Sequence, residues 1–172
     1  MRRALYRIRQ FGRLLTGRLS REQLTQVESW LTPPLFELFC RMTPSEQYHA
    51  YHVRQTLAAD GQTNPDLLTA ALLHDVGKSK MPLAVWEKVA IVLGFKFARE
   101  CAVAWGSRLD DTWWKRPFVV AMQHPAWGAE MVNAAGGSPL TVTLIYRHQD
   151  KTTPADELHE LLSALQSADN SN

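Results

Sequence analysis

The 172-residue chain is 45% hydrophobic and 21% charged with a net charge of +2, the balance of a globular domain large enough to bury a core. No stretch approaches the roughly 18 uninterrupted apolar residues of a membrane span, and the start lacks a compact apolar block and a small-residue cleavage site, so no secretory leader is expected. Cys40 and Cys101 stand far apart, outside any CxxC spacing, and are expected as reduced core thiols of a cytoplasmic protein.

Charge is uneven along the chain. Arg2, Arg3, Arg7, Arg9, Arg13, Arg18 and Arg21 all precede the first acid, Glu22, and leave the remainder net acidic. Such a segment could touch anionic lipid, nucleic acid or an acidic partner. The plainer expectation is a solvated helix face, with Leu5, Ile8, Leu15 and Leu19 turned to the core.

Helix starts then recur. Thr32-Pro33, Thr43-Pro44, Asn64-Pro65, Ser138-Pro139 and Thr153-Pro154 each set a capping side chain before a proline, which has no N–H to leave unpaired in the first turn. Thr43 with Glu46 and Ser20 with Gln23 form capping boxes. Gly61, Gly77 and Gly136-Gly137 act as stops. Helices are predicted over 3–16, 20–31, 33–42, 44–59, 65–75, 82–104 with a break near Gly94, 112–123, 126–135, 139–149 and 154–168. Neither hairpin turns nor alternating apolar runs occur, and no internal repeat is evident. The expectation is an all-α, single-domain helical bundle, with N-terminal helices over 1–42 packed on a main body over 43–172.

His74-Asp75 is the most informative pair. It closes a strongly apolar helix, where two ionisable groups would be costly unless paired or coordinated. A divalent cation resolves that cost, since imidazole nitrogen and carboxylate oxygen both donate to it. His49, His124, His148 and Asp169 each lie on or beside a different predicted helix, the arrangement of metal sites built between facing helices.

The ordered set His49, His74-Asp75, His124, His148 and Asp169 resembles the HD-domain superfamily of metal-dependent phosphohydrolases. The stretch His74-Asp75-Val76-Gly77-Lys78 is similar to that family's HDIG motif, with Val for Ile. The middle histidines resemble those of members that bind two metals, such as HD-GYP phosphodiesterases and YqeK-like dinucleotide hydrolases. The resemblance runs from about Thr43 to Asp169. His148 is followed by Gln149-Asp150 and no Gly-Tyr-Pro segment occurs, which argues against cyclic dinucleotide hydrolysis.

The resemblance implies one or two divalent transition metals, chosen among Mn, Fe, Co, Ni and Zn by the mixed ligand set. One would take His49, His74 and Asp169 and the other His124 and His148, with Asp75 bridging. Asp169 is near the C-terminus, where chains fray, so Asp150 or Asp156 is an alternative last ligand. The implied substrate is a phosphorylated small molecule, a nucleotide or dinucleotide, attacked by an activated water. Lys78 is the candidate phosphate contact beside the reaction, Arg147 a bidentate one, and Trp127 a base-stacking surface. His52 is expected in a supporting or core role, His159 on a charged surface, and Trp86, Trp105, Trp113 and Trp114 in packing. Two other activities fit the same residues: a nucleotide- or metal-sensing module without turnover, and a diiron oxygenase on the same fold.

Overall fold

The computed structural model describes residues 17–107, 112–150 and 157–172, and every regular element among them is helical. In chain order these are α1 (Arg21–Trp30), α2 (Pro33–Cys40), α3 (Pro44–Ala59), α4 (Pro65–Leu73), a 3-10 turn (Val76–Lys80), α5 (Val85–Phe97), α6 (Arg99–Gly106), α7 (Arg116–Ala134), α8 (Pro139–Arg147) and α9 (Glu157–Ser171). The predicted helix over 3–16 and the Thr153-Pro154 start lie outside the described residues.

Local chemistry sets most of these starts. The Ser20 and Thr43 boxes both close, each side chain accepting from the backbone N–H three residues on while that residue's side chain accepts from the cap's own N–H. Asn64 caps α4 through Asp66 and Leu67, and Ser138 caps α8 through Thr141. Thr32 makes no such bond, so α2 begins on its two prolines alone. Gly61 and Gly136 end their helices at φ +82° and +81°, a region that favours glycine.

One buried cluster runs through the molecule. Val27, Leu35 and Phe39 from the first two helices join Val53 and Leu57 of α3, Leu67, Leu72 and Leu73 of α4, Leu144 and Ile145 of α8, and Leu162 and Leu165 of α9. The α7 helix packs over this core against the 3-10 turn, α8 and α6.

Three boundaries differ from those predicted. The break after α5 falls at Ala98, not Gly94. Gly94 serves another purpose: a Cβ there would stand 2.4 Å from the Phe118 ring, so its bare backbone lets α5 lie against α7. The predicted helices over 112–123 and 126–135 are one, with Pro125 inside. An interior proline costs about 3 kcal/mol, but Val119, Val120, His124, Pro125, Gly128, Ala129 and Val132 are all buried, so the packed face carries the helix across it. The final helix continues to Ser171, where the Asn172 side chain donates to Thr56 Oγ1 on α3 at 2.9 Å.

Other expectations fail at the surface. Cys40 and Cys101 are free and exposed rather than core thiols. Trp86 and Trp113 are also largely exposed, because no described element covers the outer side of α5. Trp105 does pack, against Trp114 and Phe118.

Candidate metal centre

Two helices of equal design deliver the central histidines. The α4 and α8 helices each have nine residues, a capped proline start, and a histidine at the C-terminal cap, so Asn64 is to His74 as Ser138 is to His148. Their starts are clamped together: Ser138 and Thr141 hydroxyls both donate to Asp66 on α4. Helices that begin together and run the same length end together, and the His74 and His148 rings lie 5.3 Å apart.

The orientation of each ring is set by its backbone. His74 Nδ1 donates to the Ala71 carbonyl at 2.9 Å, His148 Nδ1 to Ile145 at 2.7 Å, and His124 Nδ1, from α7, to Val120 at 2.9 Å. A neutral imidazole has one N–H, so holding it at Nδ1 turns the lone pair at Nε2 outward. All three Nε2 atoms converge. His124 Nε2 and His148 Nε2 are 3.3 Å apart, and His74 Nε2 is buried without a hydrogen-bond partner.

Carboxylates complete the set. Asp75 enters the 3-10 turn with Oδ1 3.3 Å from His124 Nε2 and Oδ2 3.6 Å from His74 Nε2. Asp169 Oδ1 is 2.8 Å from His49 Nε2 and 3.6 Å from His74 Nε2. Donor atoms of His49, His74 and Asp169 lie within 4.8 Å of one another, as do those of Asp75, His124 and His148. Ligands about 2.1 Å from a common transition metal are separated by about 3–4 Å, so both groups could hold an ion. Two lone pairs facing each other at 3.3 Å in a buried pocket are repulsive until a cation or proton comes between them. The residues fit a metal.

The six residues anticipated as ligands are therefore brought together. Asp169 sits within α9, not in a frayed tail. Asp150 instead accepts from Arg147 Nε at 2.8 Å, which engages both side chains, and Asp156 lies outside the described residues. Lys78 Nζ is 2.6 Å from Asp75 Oδ2. Trp127 is one helical turn past His124 but has Lys80 Nζ 5.3 Å from its ring. His52 packs between Tyr48 and Tyr51, with burial and then His49 pushing its pKa down.

Charge in the cluster is strongly coupled. Burial opposes a charged His74, but Asp75 and Asp169 outweigh it and raise its pKa to about 9. Burial, then His74 and His124, push His148 down to about 3, and burial also lowers His124. Burial would raise Asp75, yet Lys78 and then His74 hold it well below the usual range. Asp169 is likewise held low, by its hydrogen bond to His49 and by His74, against the effect of burial.

These shifts give His74 and His148 opposite pH dependences in metal-free protein. The His74 contribution to stability is full below its unfolded pKa of about 6.5 and is lost as pH rises through about 9. That of neutral His148 runs the other way, declining as pH falls from about 6.5 toward about 3. A metal bound through His74 Nε2 would displace that proton. Calorimetric titration with Zn at pH 7.5, in buffers of different ionisation enthalpy, should show His74→Ala releasing about one proton fewer than wild type. Equal release would mean that His74 is not a ligand.

A cleft of about 660 Å³, lined by none of the six clustered residues but by their chain neighbours Pro125 and Gln149, is walled by Ile91 and Phe95 of α5, Val103 of α6 and Met122 of α7. Arg99, Gln123, Tyr146, Gln149 and Asp150 supply its polar edge. The Gln149 amide connects the two features, lying 3.4 Å from His124 Nε2. Gln149 and Arg99 were not singled out from sequence; for Gln149, its place directly after His148 was the available signal. Compared with protein-family models, curated proteins and solved structures, the chain matches none.

Proposed function

We propose that the chain is a metal-dependent phosphohydrolase of the HD-domain type, acting on a phosphoester or phosphoanhydride in a nucleotide. The observation that supports this best is the convergence of three Nε2 atoms, each ring fixed from behind by a carbonyl, on two carboxylates. Structural metal sites close every position with protein ligands, whereas catalytic ones keep positions open. Here each group offers three candidate ligand atoms, and the cleft reaches them at Gln149.

His49, His74 and Asp169 would hold one cation and His124 and His148 a second, with Asp75 between them. A bound pair of such ions supplies an activated water and neutralises charge on the phosphoryl oxygens. The protein's own residues do the rest. The carbonyls of Ala71, Val120 and Ile145 hold the imidazoles in one tautomer and orientation. Lys78 carries a cation beside Asp75; burial opposes its charge but Asp75 raises its pKa, so it stays protonated and able to meet a phosphoryl oxygen. Arg99 and Gln149 provide donors at the cleft edge, while Ile91, Phe95 and Met122 offer an apolar wall for the organic part of the substrate.

The test is direct. Metal-stripped protein resupplied with Mn, Fe, Co, Ni or Zn is incubated with bis(p-nitrophenyl) phosphate and a panel of nucleotides. Product formation dependent on added metal supports the reading. Tight nucleotide binding without product would replace it with a sensing module, and iron-dependent oxygen uptake with an organic phosphonate would replace it with an oxygenase.

A further inference from the structure

The outer side of α5 is apolar and uncovered. Val85, Trp86, Val92, Leu93 and Phe97 are each 50–74% exposed, and Trp113, at 72%, extends the patch with its ring 6.4 Å from that of Trp86. At about 100° per residue these α5 positions occupy an arc of roughly 140°. Soluble surfaces scatter large apolar side chains singly; a contiguous patch on one helix marks an interaction face.

Its charges say what kind. The one acid on α5, Glu87, is buried on the opposite side, where it accepts from Arg116 Nη1 at 2.9 Å and from the Ala84 N–H at 2.7 Å. The apolar arc of α5 therefore carries no acid. Lys96 falls inside the apolar arc with its ammonium 5.1 Å from the Phe97 ring. Large aliphatics flanked by tryptophan and a lysine match the layered chemistry of a bilayer surface: acyl chains, then the interface that indole favours, then anionic headgroups. A lysine inside such a stripe can bury its stem and raise its charge to the headgroups. Length decides between lying on and crossing: 13 residues make about 20 Å of helix, short of the roughly 30 Å hydrocarbon core. Among the described residues no helix is long and apolar enough to span a membrane.

We propose that the α5 face with Trp113 is a docking surface for an anionic lipid bilayer, on which α5 lies in the interfacial plane. The opposite side of the same helix carries Ile91 and Phe95 into the cleft wall, so docking brings that cleft to headgroup level.

Full-length protein is sedimented with vesicles of phosphatidylcholine alone and with 30% phosphatidylglycerol. Binding is expected to be about fivefold tighter to the anionic vesicles, and that advantage should shrink in 0.5 M NaCl. The double substitution Leu93→Glu/Phe97→Glu is expected to abolish binding while leaving the thermal midpoint unchanged, since both side chains are exposed. Absence of binding to either vesicle overturns the proposal, as does undiminished binding by the double variant. A concentration-dependent dimer that the double substitution dissociates, without vesicle binding, would give the face to a second copy of the chain instead.

Discussion

Replacing Asp75 with asparagine is expected to weaken transition-metal binding by more than about 100-fold, beyond the 10–100-fold that loss of an outer hydrogen-bonding partner costs. The two oxygens of this carboxylate face different histidines, Oδ1 toward His124 at 3.3 Å and Oδ2 toward His74 at 3.6 Å. An amide keeps the shape but carries no charge, and whichever way it turns it directs an N–H at one of these neighbours. The loss should therefore reach both three-residue groups, a result not expected of Asp169→Asn, which touches only the His49 side. Lys78 also loses its counterion. Breaking a buried pair costs about 3–5 kcal/mol, but the Lys78 side chain is 27% exposed and can turn to water, so the stability cost should fall well below that range. Metal content after dialysis and a competition titration report the first effect; the melting temperature of metal-free protein reports the second. Wild-type metal affinity in Asp75→Asn would remove this residue from the ligand set.

How much of this was legible beforehand follows from the range of the interactions involved. Capping is local, so Ser20, Thr43, Asn64 and Ser138 announced their helices correctly from a few neighbouring residues. The bend at Ala98 and the unbroken α7 were not readable, because they depend on burial against elements far along the chain; Gly94 looked like a breaker and is a contact with Phe118. The candidate ligands were visible as residue types in order. Their convergence was not, since it depends on Asp66 clamping the start of α4 to Ser138, 72 residues on. One signal was present and overlooked: the matched interval from capped proline to histidine in α4 and α8, too divergent in sequence to register as a repeat. The same limit applies to α5. Apolar residues at helical spacing read as core, and only the fold shows that no described element covers them.

Gly77 carries the other large expectation. Sequence alone makes it a helix stop, yet positive φ among the described glycines is confined to Gly61 and Gly136. Its role is proximity. A Cβ at Gly77 would stand 2.0 Å from the His124 carbonyl oxygen and 2.7 Å from the Gly128 nitrogen, both backbone atoms of α7 that cannot rotate aside. Gly77→Ala must therefore push the 3-10 turn off α7, and Asp75, two residues earlier, moves with it away from His124. Overpacking usually costs about 1–3 kcal/mol; with rigid backbone on the receiving side the upper end is expected. At about 2–4 °C per kcal/mol for a chain of this size, the midpoint should fall by about 10 °C. Metal affinity should fall with it. Gly61→Ala separates the two effects, because it strains a left-handed backbone but meets nothing within 4 Å and lies away from the cluster. That variant should lose stability and keep its metal affinity. If Gly77→Ala melts and binds metal like wild type, the turn does not rest on α7 as described, and Asp75 loses the support that aims it at His124.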